Sequence, residues 1–146
     1  MLSGPFMHLG TIFHGWRGRR QRIEAVETLA LAINTGDYDA VRKLISSDIE
    51  VIDALGRSIT GAEEFVAADR AFRAQVAGAQ LVVESAIEND GDVLVTGRLS
   101  GDNPEFAGST FWRVCFRGDL IARIEITRNE SQMTVTKFHA LQQQRR

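Results

Sequence analysis

Apolar and polar positions follow two rhythms along the chain. Over residues 21–35, apolar Ile23, Val26, Leu29, Ala30 and Ile33 recur at steps of three and four, which marks one face of a helix. Asn34-Thr35-Gly36 then supplies a stop, because glycine takes the left-handed conformation that closes a last helical turn. Asp37 follows as an N-cap for a short helix carrying Val41, Leu44 and Ile45, which Ser46-Ser47-Asp48 ends. Ile49 and Val51 open a strand-like stretch that reaches Asp53 and turns at Gly56-Arg57-Ser58. A third helical pattern reads Phe65, Val66, Asp69, Phe72 and Val76. It starts behind Thr60 and Glu63, whose spacing matches a capping box.

Beyond Gly78 the rhythm changes to alternation. Leu81–Ile87, Val93–Leu99, Thr110–Phe116 and Leu120–Ile126 read as strands. The turns between them are Asn89-Asp90-Gly91, the longer stretch Ser100 to Gly108, and Arg117-Gly118-Asp119. Short turns imply antiparallel neighbours, hence a meander of these strands. Helices gathered ahead of an antiparallel sheet predict an α+β fold with the helices on one face. The chain divides into a leader over 1–20, one domain over 21–130 and a tail over 131–146. Met133–Leu141 in that tail fits a last strand, a short helix or disorder. A chain of 146 residues suits one domain, with a core that removes about 70% of the unfolded surface from water.

Composition narrows the function classes. Apolar residues are 44% and charged residues 25%, as in ordinary globular proteins, and the net charge of −2 offers no attraction to nucleic acid or to an anionic membrane. A lone Cys115 and three scattered histidines provide no internal disulfide and no metal-ligand spacing, so neither a metal nor a cofactor is expected. A cytoplasmic location is the default expectation. In MLSGPFMHLGTIFHGWRGRRQR the apolar part is broken by Gly4, Pro5, His8, Gly10, His14 and Gly15, and the arginines follow it, the reverse of a secretory signal. No run approaches the ~20 apolar residues of a membrane helix. The segment reads as a flexible leader, with translation starting at Met7, or as a piece that folds over the domain through Phe6, Phe13 and Trp16.

The stretch AINTGDYDAVRKLISSDIEVIDALG, followed by ITGAEEFVAADRAF and later by FRGDLIARIEI, resembles the nuclear transport factor 2-like superfamily. More narrowly, it is similar to the SnoaL-like branch of polyketide cyclases, ketosteroid isomerases and limonene epoxide hydrolases. The features that carry the likeness are the helix ending in N-x-G-D, the short helix leaving through LISSDI, the strand ending at an acid, and G-x-E-x-F at the third helix. The resemblance spans about residues 21–130. It implies a cone: a curved antiparallel sheet wrapped around three N-terminal helices. An apolar cavity would open at one end, and pairing through the outer sheet face would make a homodimer. The fold hosts many unrelated activities, so function has to be argued from the site.

The resemblance also assigns candidate residues. Asp53 matches the general base of the isomerases, where an apolar cavity raises a carboxyl pKa and makes it a stronger base toward a carbon acid. The alternative is a strand-end aspartate that caps the Gly56 turn. The isomerases carry a tyrosine on the first helix where Leu29 stands here, and a protonated aspartic acid on the third long strand where Trp112 stands. A full oxyanion hole is therefore missing, which argues against a steroid isomerase. On the last strand the resemblance turns the Ile121, Arg123, Glu125 and Thr127 face inward, making Glu125 a second acid–base group and Arg123 its partner or a carboxylate clamp. The alternative is a solvated Arg–Glu pair worth ~0–1 kcal/mol. Ile33, Phe72 and Val114, with Leu29 and Trp112, complete the expected binding wall. Arg98 reads as surface, His14 and His139 lie outside the matched core, and Cys115 reads as an inert thiol. Two function classes stay open. One is a cofactor-free isomerase, cyclase or lyase acting on a hydrophobic ring compound, and the other is a ligand-binding or dimerisation module without chemistry.

Overall fold

Helix α1 (Ser3–Thr35) ends where the sequence stops it, at Gly36 with φ 70°. The N–H of Gly36 donates to the Ile33 carbonyl (3.1 Å) and that of Asp37 to the Ala32 carbonyl (2.8 Å), a Schellman closure of the last turn. The structure, a computed structural model, describes residues 3–129 and 132–145, with side chains from residue 18 onward. The helix thus begins well before residue 21; the anchors Phe6, Phe13 and Trp16 lie outside the described side chains. The chain continues as α2 (Tyr38–Leu44), β1 (Ile45–Asp53), β2 (Ser58–Thr60), α3 (Ala62–Gln75), β3 (Leu81–Asn89), β4 (Asp92–Leu99), β5 (Gly108–Arg117), β6 (Leu120–Thr127) and α4 (Val135–Gln144). Asp37 caps α2 by accepting the Ala40 N–H at 3.2 Å. At α3 the N-cap is Gly61, with φ 103° and no side-chain cap, so Thr60 ends in β2 and does not form the capping box.

The six strands form one open sheet in the order β2-β1-β6-β5-β4-β3. β3 to β6 make the antiparallel meander, and β3 turns into β4 through Asp90 (φ 53°) and Gly91 (φ 89°), the left-handed pair that a two-residue hairpin of this hand requires. The expected all-antiparallel sheet is corrected in one place: β1 runs parallel to β6, with Val51 opposite Ile124 and Asp53 opposite Ile126. This pairing joins residues some seventy positions apart and leaves no local signature. The tail supplies a fourth helix, α4, capped by the Thr134 hydroxyl accepting the Lys137 N–H at 3.0 Å.

The register shifts at three places, once in the β1–β6 pairing between Ile45 and Glu50 and twice in the meander. Opposite the step Val83–Gly97, β3 carries Glu84 as an extra residue, and there a Cβ on Gly97 would lie 2.5 Å from the Val82 carbonyl oxygen. In β6 the partners step from Arg123 to Ile121 while β5 advances by one, which leaves Ala122 unpaired. The core lies between the concave face and the helices and includes Val26, Leu29, Ile49, Val51, Val66, Val93, Val114, Ile121 and Ile124. Asn34 ties the end of α1 to the start of β3. Its Nδ2 donates to the Leu81 carbonyl (2.8 Å), and its Oδ1 accepts the Leu81 N–H (2.7 Å).

Candidate functional site

Asp53 closes β1, and the turn after it supplies its partners. Oδ1 accepts the backbone N–H of Leu55 (2.9 Å) and of Arg57 (3.1 Å). Oδ2 accepts Arg57 Nε (2.7 Å) and the hydroxyl of Thr136 on α4 (2.7 Å). Burial pulls the Asp53 pKa up, but the bonds from Thr136, Arg57 and the two backbone N–H groups outweigh it and hold the carboxyl below the ordinary aspartate value. The carboxylate anchors a turn and a helix.

The bulge at Ala122 explains the position of Glu125. Alternation counted from Ile121 turns Arg123 and Glu125 inward. The extra residue resets the phase, so Ile121, Ile124 and Ile126 all face the core, leaving Arg123 and Glu125 part-exposed on the outer face. There Arg123 Nε donates to Glu125 Oε2 at 3.0 Å, and its Nη1 reaches Glu50 on β1. The inward placement of Glu125 and Arg123 is thus corrected. The structure does not bring Asp53 and Glu125 together at one pocket. Leu29 and Val114 are fully buried in the core rather than exposed to a hollow.

A pocket does lie between α3, the concave sheet face and the start of α4, with a volume of about 60 Å³. Ile33, Phe72 and Trp112 line it, together with Val51, Phe65, Ile124 and Ile126. The polar part of its wall is Asp69, Arg73, Thr110, Arg128 and Thr134. α3 presents Asp69 here because it shares the inward stripe of Phe65, Val66 and Phe72.

The Asp69 residue is 5% exposed. Tyr38, the first residue of α2, donates its O–H to Oδ2 at 2.8 Å, while Arg73, one turn along α3, holds Nε 3.8 Å from the same oxygen. That is an ion-pair distance, too long for a hydrogen bond. Burial raises the Asp69 pKa above the ordinary aspartate value, and neither Arg73 nor the Tyr38 hydrogen bond cancels it. The Tyr38 hydroxyl is likewise pushed up, by burial first and by the Asp69 charge second. Arg70 lies over the Tyr38 ring at 4.9 Å and covers its outer side. Sequence reasoning missed Asp69, Tyr38, Arg73 and Arg128. For Asp69 the signal was present, as an acid set in the apolar stripe of a helix.

The fold has known counterparts. A family model described as a SnoaL-like domain matches residues 12–124. The chain belongs to the SnoaL-like domain family. No curated protein sequence matches it. Among solved structures, a candidate polyketide cyclase of Sinorhizobium meliloti superposes with a TM-score of 0.63 at 21% identity, covering 70% of this chain and 93% of that one. A protein of ketosteroid isomerase-like fold from Catenulispora acidiphila, solved in complex with trimethylamine, has a TM-score of 0.65 at 19% identity and covers 78% of this chain and 92% of its own. A de novo designed protein with a curved β-sheet reaches 0.71 at 16% identity, over 85% and 98%. At such identities the likeness concerns the fold. Among the described residues of this SnoaL-like chain, no group of three His, Cys, Asp or Glu side chains is placed to hold a metal, and no helix is long and apolar enough to cross a membrane.

Proposed function

We propose that this SnoaL-like protein takes a small hydrophobic molecule into the pocket beside Asp69 and moves a proton on it without a cofactor, as an isomerase, cyclase or lyase. The observation that carries this reading is a buried carboxyl of raised pKa on an apolar wall. Such a group is a stronger base than a solvated aspartate and can accept a proton from carbon next to a carbonyl. The Tyr38 hydroxyl holds Oδ2, which leaves Oδ1 for the ligand. The base role expected of Asp53 passes to Asp69, because Asp53 is engaged by three donors of the Gly56 turn and by the Thr136 hydroxyl of α4. The volume also argues for a compact ligand: about 60 Å³ is well under the ~150 Å³ that encloses a benzene ring. A larger ring enters only where the mouth opens.

A homodimer through the outer sheet face belongs to the same reading, supported by exposed Ile87, Leu94 and Phe111 on β3, β4 and β5. The competing function, a binding module without chemistry, is favoured by the burial of Leu29 in the core where the isomerases carry their tyrosine.

Solvent deuterium exchange separates the two. Butanone and cyclopentanone in D2O, followed by proton NMR with protein and with buffer alone, should lose α-protons faster with protein. Asp69→Asn should reduce the excess rate by about 100-fold or more. If both ketones bind and neither exchanges above buffer, the protein is a binding module and the catalytic reading fails.

A further inference from the structure

Two guanidinium groups reach this pocket at the same end of the sheet. Arg128, just beyond β6, gives one N–H from each nitrogen to a backbone carbonyl: Nε to Ser109 (3.1 Å), Nη1 to Met133 (2.7 Å) and Nη2 to Gly108 (3.1 Å). No carboxylate faces it among the described residues, whereas Arg42, Arg57, Arg113, Arg117 and Arg123 all pair with acids. A guanidinium carries five N–H groups and stays charged, so Nη1 and Nη2 each keep one donor, a fork suited to two oxygens of one anion. Arg73 is the second group. Its Nε is buried with no hydrogen-bond partner, and its Nη1 donates to the Ala79 carbonyl at 3.3 Å. Both line one pocket because Leu81, Leu99 and Gly108 are in register across β3, β4 and β5, so the carbonyls of Ala79 and Gly108 that hold them lie at one end of the sheet. An orphaned buried donor and an uncompensated charge on one pocket wall both call for an acceptor from outside the chain.

We infer that the ligand of this pocket is a short carboxylic acid, its carboxylate held by Arg128 and the Arg73 Nε–H and its aliphatic body lying against Phe72, Trp112 and Ile126. The inference rests on the pocket being the ligand site, as proposed above, and adds the substrate class. The apolar wall favours an aliphatic acid over inorganic phosphate, and a volume of about 60 Å³ favours a short one over an aromatic acid. With Asp69 ionised as the base, Arg73 and Arg128 still leave the pocket wall one positive charge in excess, which favours an anion.

Isobutyrate and isobutyramide test this, since they match in size and shape and differ in charge. The full chain, labelled with nitrogen-15, is titrated with each at pH 7 and low salt, reading the Trp112 indole and arginine Nε–H signals. Isobutyrate should bind at least tenfold more tightly than the amide, shift the Arg73 Nε–H, and weaken with added salt. Arg128→Gln should reduce the preference to about twofold or less. Because that variant also gives up three carbonyl tethers, Arg128→Lys is measured beside it and should keep part of the preference. Equal or tighter binding of isobutyramide overturns the anion assignment and leaves the pocket standing. If neither compound shifts Trp112, the pocket reading falls and this inference with it.

Discussion

Replacing Asp53 by alanine separates an anchor from a catalyst. The anchor serves four donors: the Leu55 and Arg57 N–H groups, Arg57 Nε and the Thr136 hydroxyl. The backbone N–H groups lie in an exposed turn and recover water, so each loss costs about 0.5–1.5 kcal/mol. The Arg57 side chain is 32% exposed, which holds its contribution to about 1 kcal/mol or less. Thr136 is 1% exposed and cannot turn to solvent, but it keeps Thr134 Oγ1 at 2.9 Å. These terms are not additive, and together they place the loss at about 3 kcal/mol, a lowering of Tm by roughly 10 °C for a domain of this size.

Urea unfolding followed by circular dichroism at pH 7, 5 and 3 measures it. The folded-state pKa of Asp53 lies below the ordinary ~3.9, so its contribution is complete above that value and is lost as pH falls through the folded pKa. The gap between wild type and Asp53→Ala should therefore be wide at pH 7 and pH 5 and narrow at pH 3. A catalytic base in a dry pocket behaves in the opposite way: its removal is neutral or stabilising and abolishes activity. A loss below about 0.5 kcal/mol at pH 7, with no narrowing at pH 3, would refute the anchor.

Two more predictions follow from the same geometry. Asp69 has a raised folded-state pKa, so the folded protein holds that proton more tightly than the unfolded chain and loses stability as pH rises from ~3.9 through the folded value; the stability of wild type minus that of Asp69→Asn should fall between pH 4 and pH 8 in urea titrations, and a constant difference would refute the buried acid. Gly97→Ala sets a Cβ 2.5 Å from the Val82 carbonyl oxygen at the β3–β4 bulge, where backbone has to move, and should cost about 2–3 kcal/mol by thermal unfolding; a change within 0.5 kcal/mol would mean that the bulge yields freely.

Features set by neighbouring residues were legible from the sequence. The Gly36 stop, the Asp37 cap, the Asp90-Gly91 hairpin and the four strands of the meander follow from local chemistry, and all appear. The parallel β1–β6 pairing was not, because nothing near either strand reports it. Nor was the inner face of β6, where a strict period of two carries Glu125 to the wrong side once Ala122 is skipped.

The two acids show most sharply where the limit lies. Asp53 ends an apolar strand and Asp69 interrupts an apolar helical stripe, and in a hydropathy pattern they look alike. Their surroundings differ. A glycine turn follows Asp53 and offers free backbone N–H groups two and four residues on, so that carboxylate is satisfied locally and stays charged. Asp69 sits within a helix whose N–H groups are already committed to carbonyls one turn back. Its partners have to come from side chains, and the fold brings Tyr38 from α2 and, at a longer distance, Arg73. A buried acid without local donors keeps a raised pKa, and that is why the proposed proton transfer is assigned to Asp69 and not to Asp53.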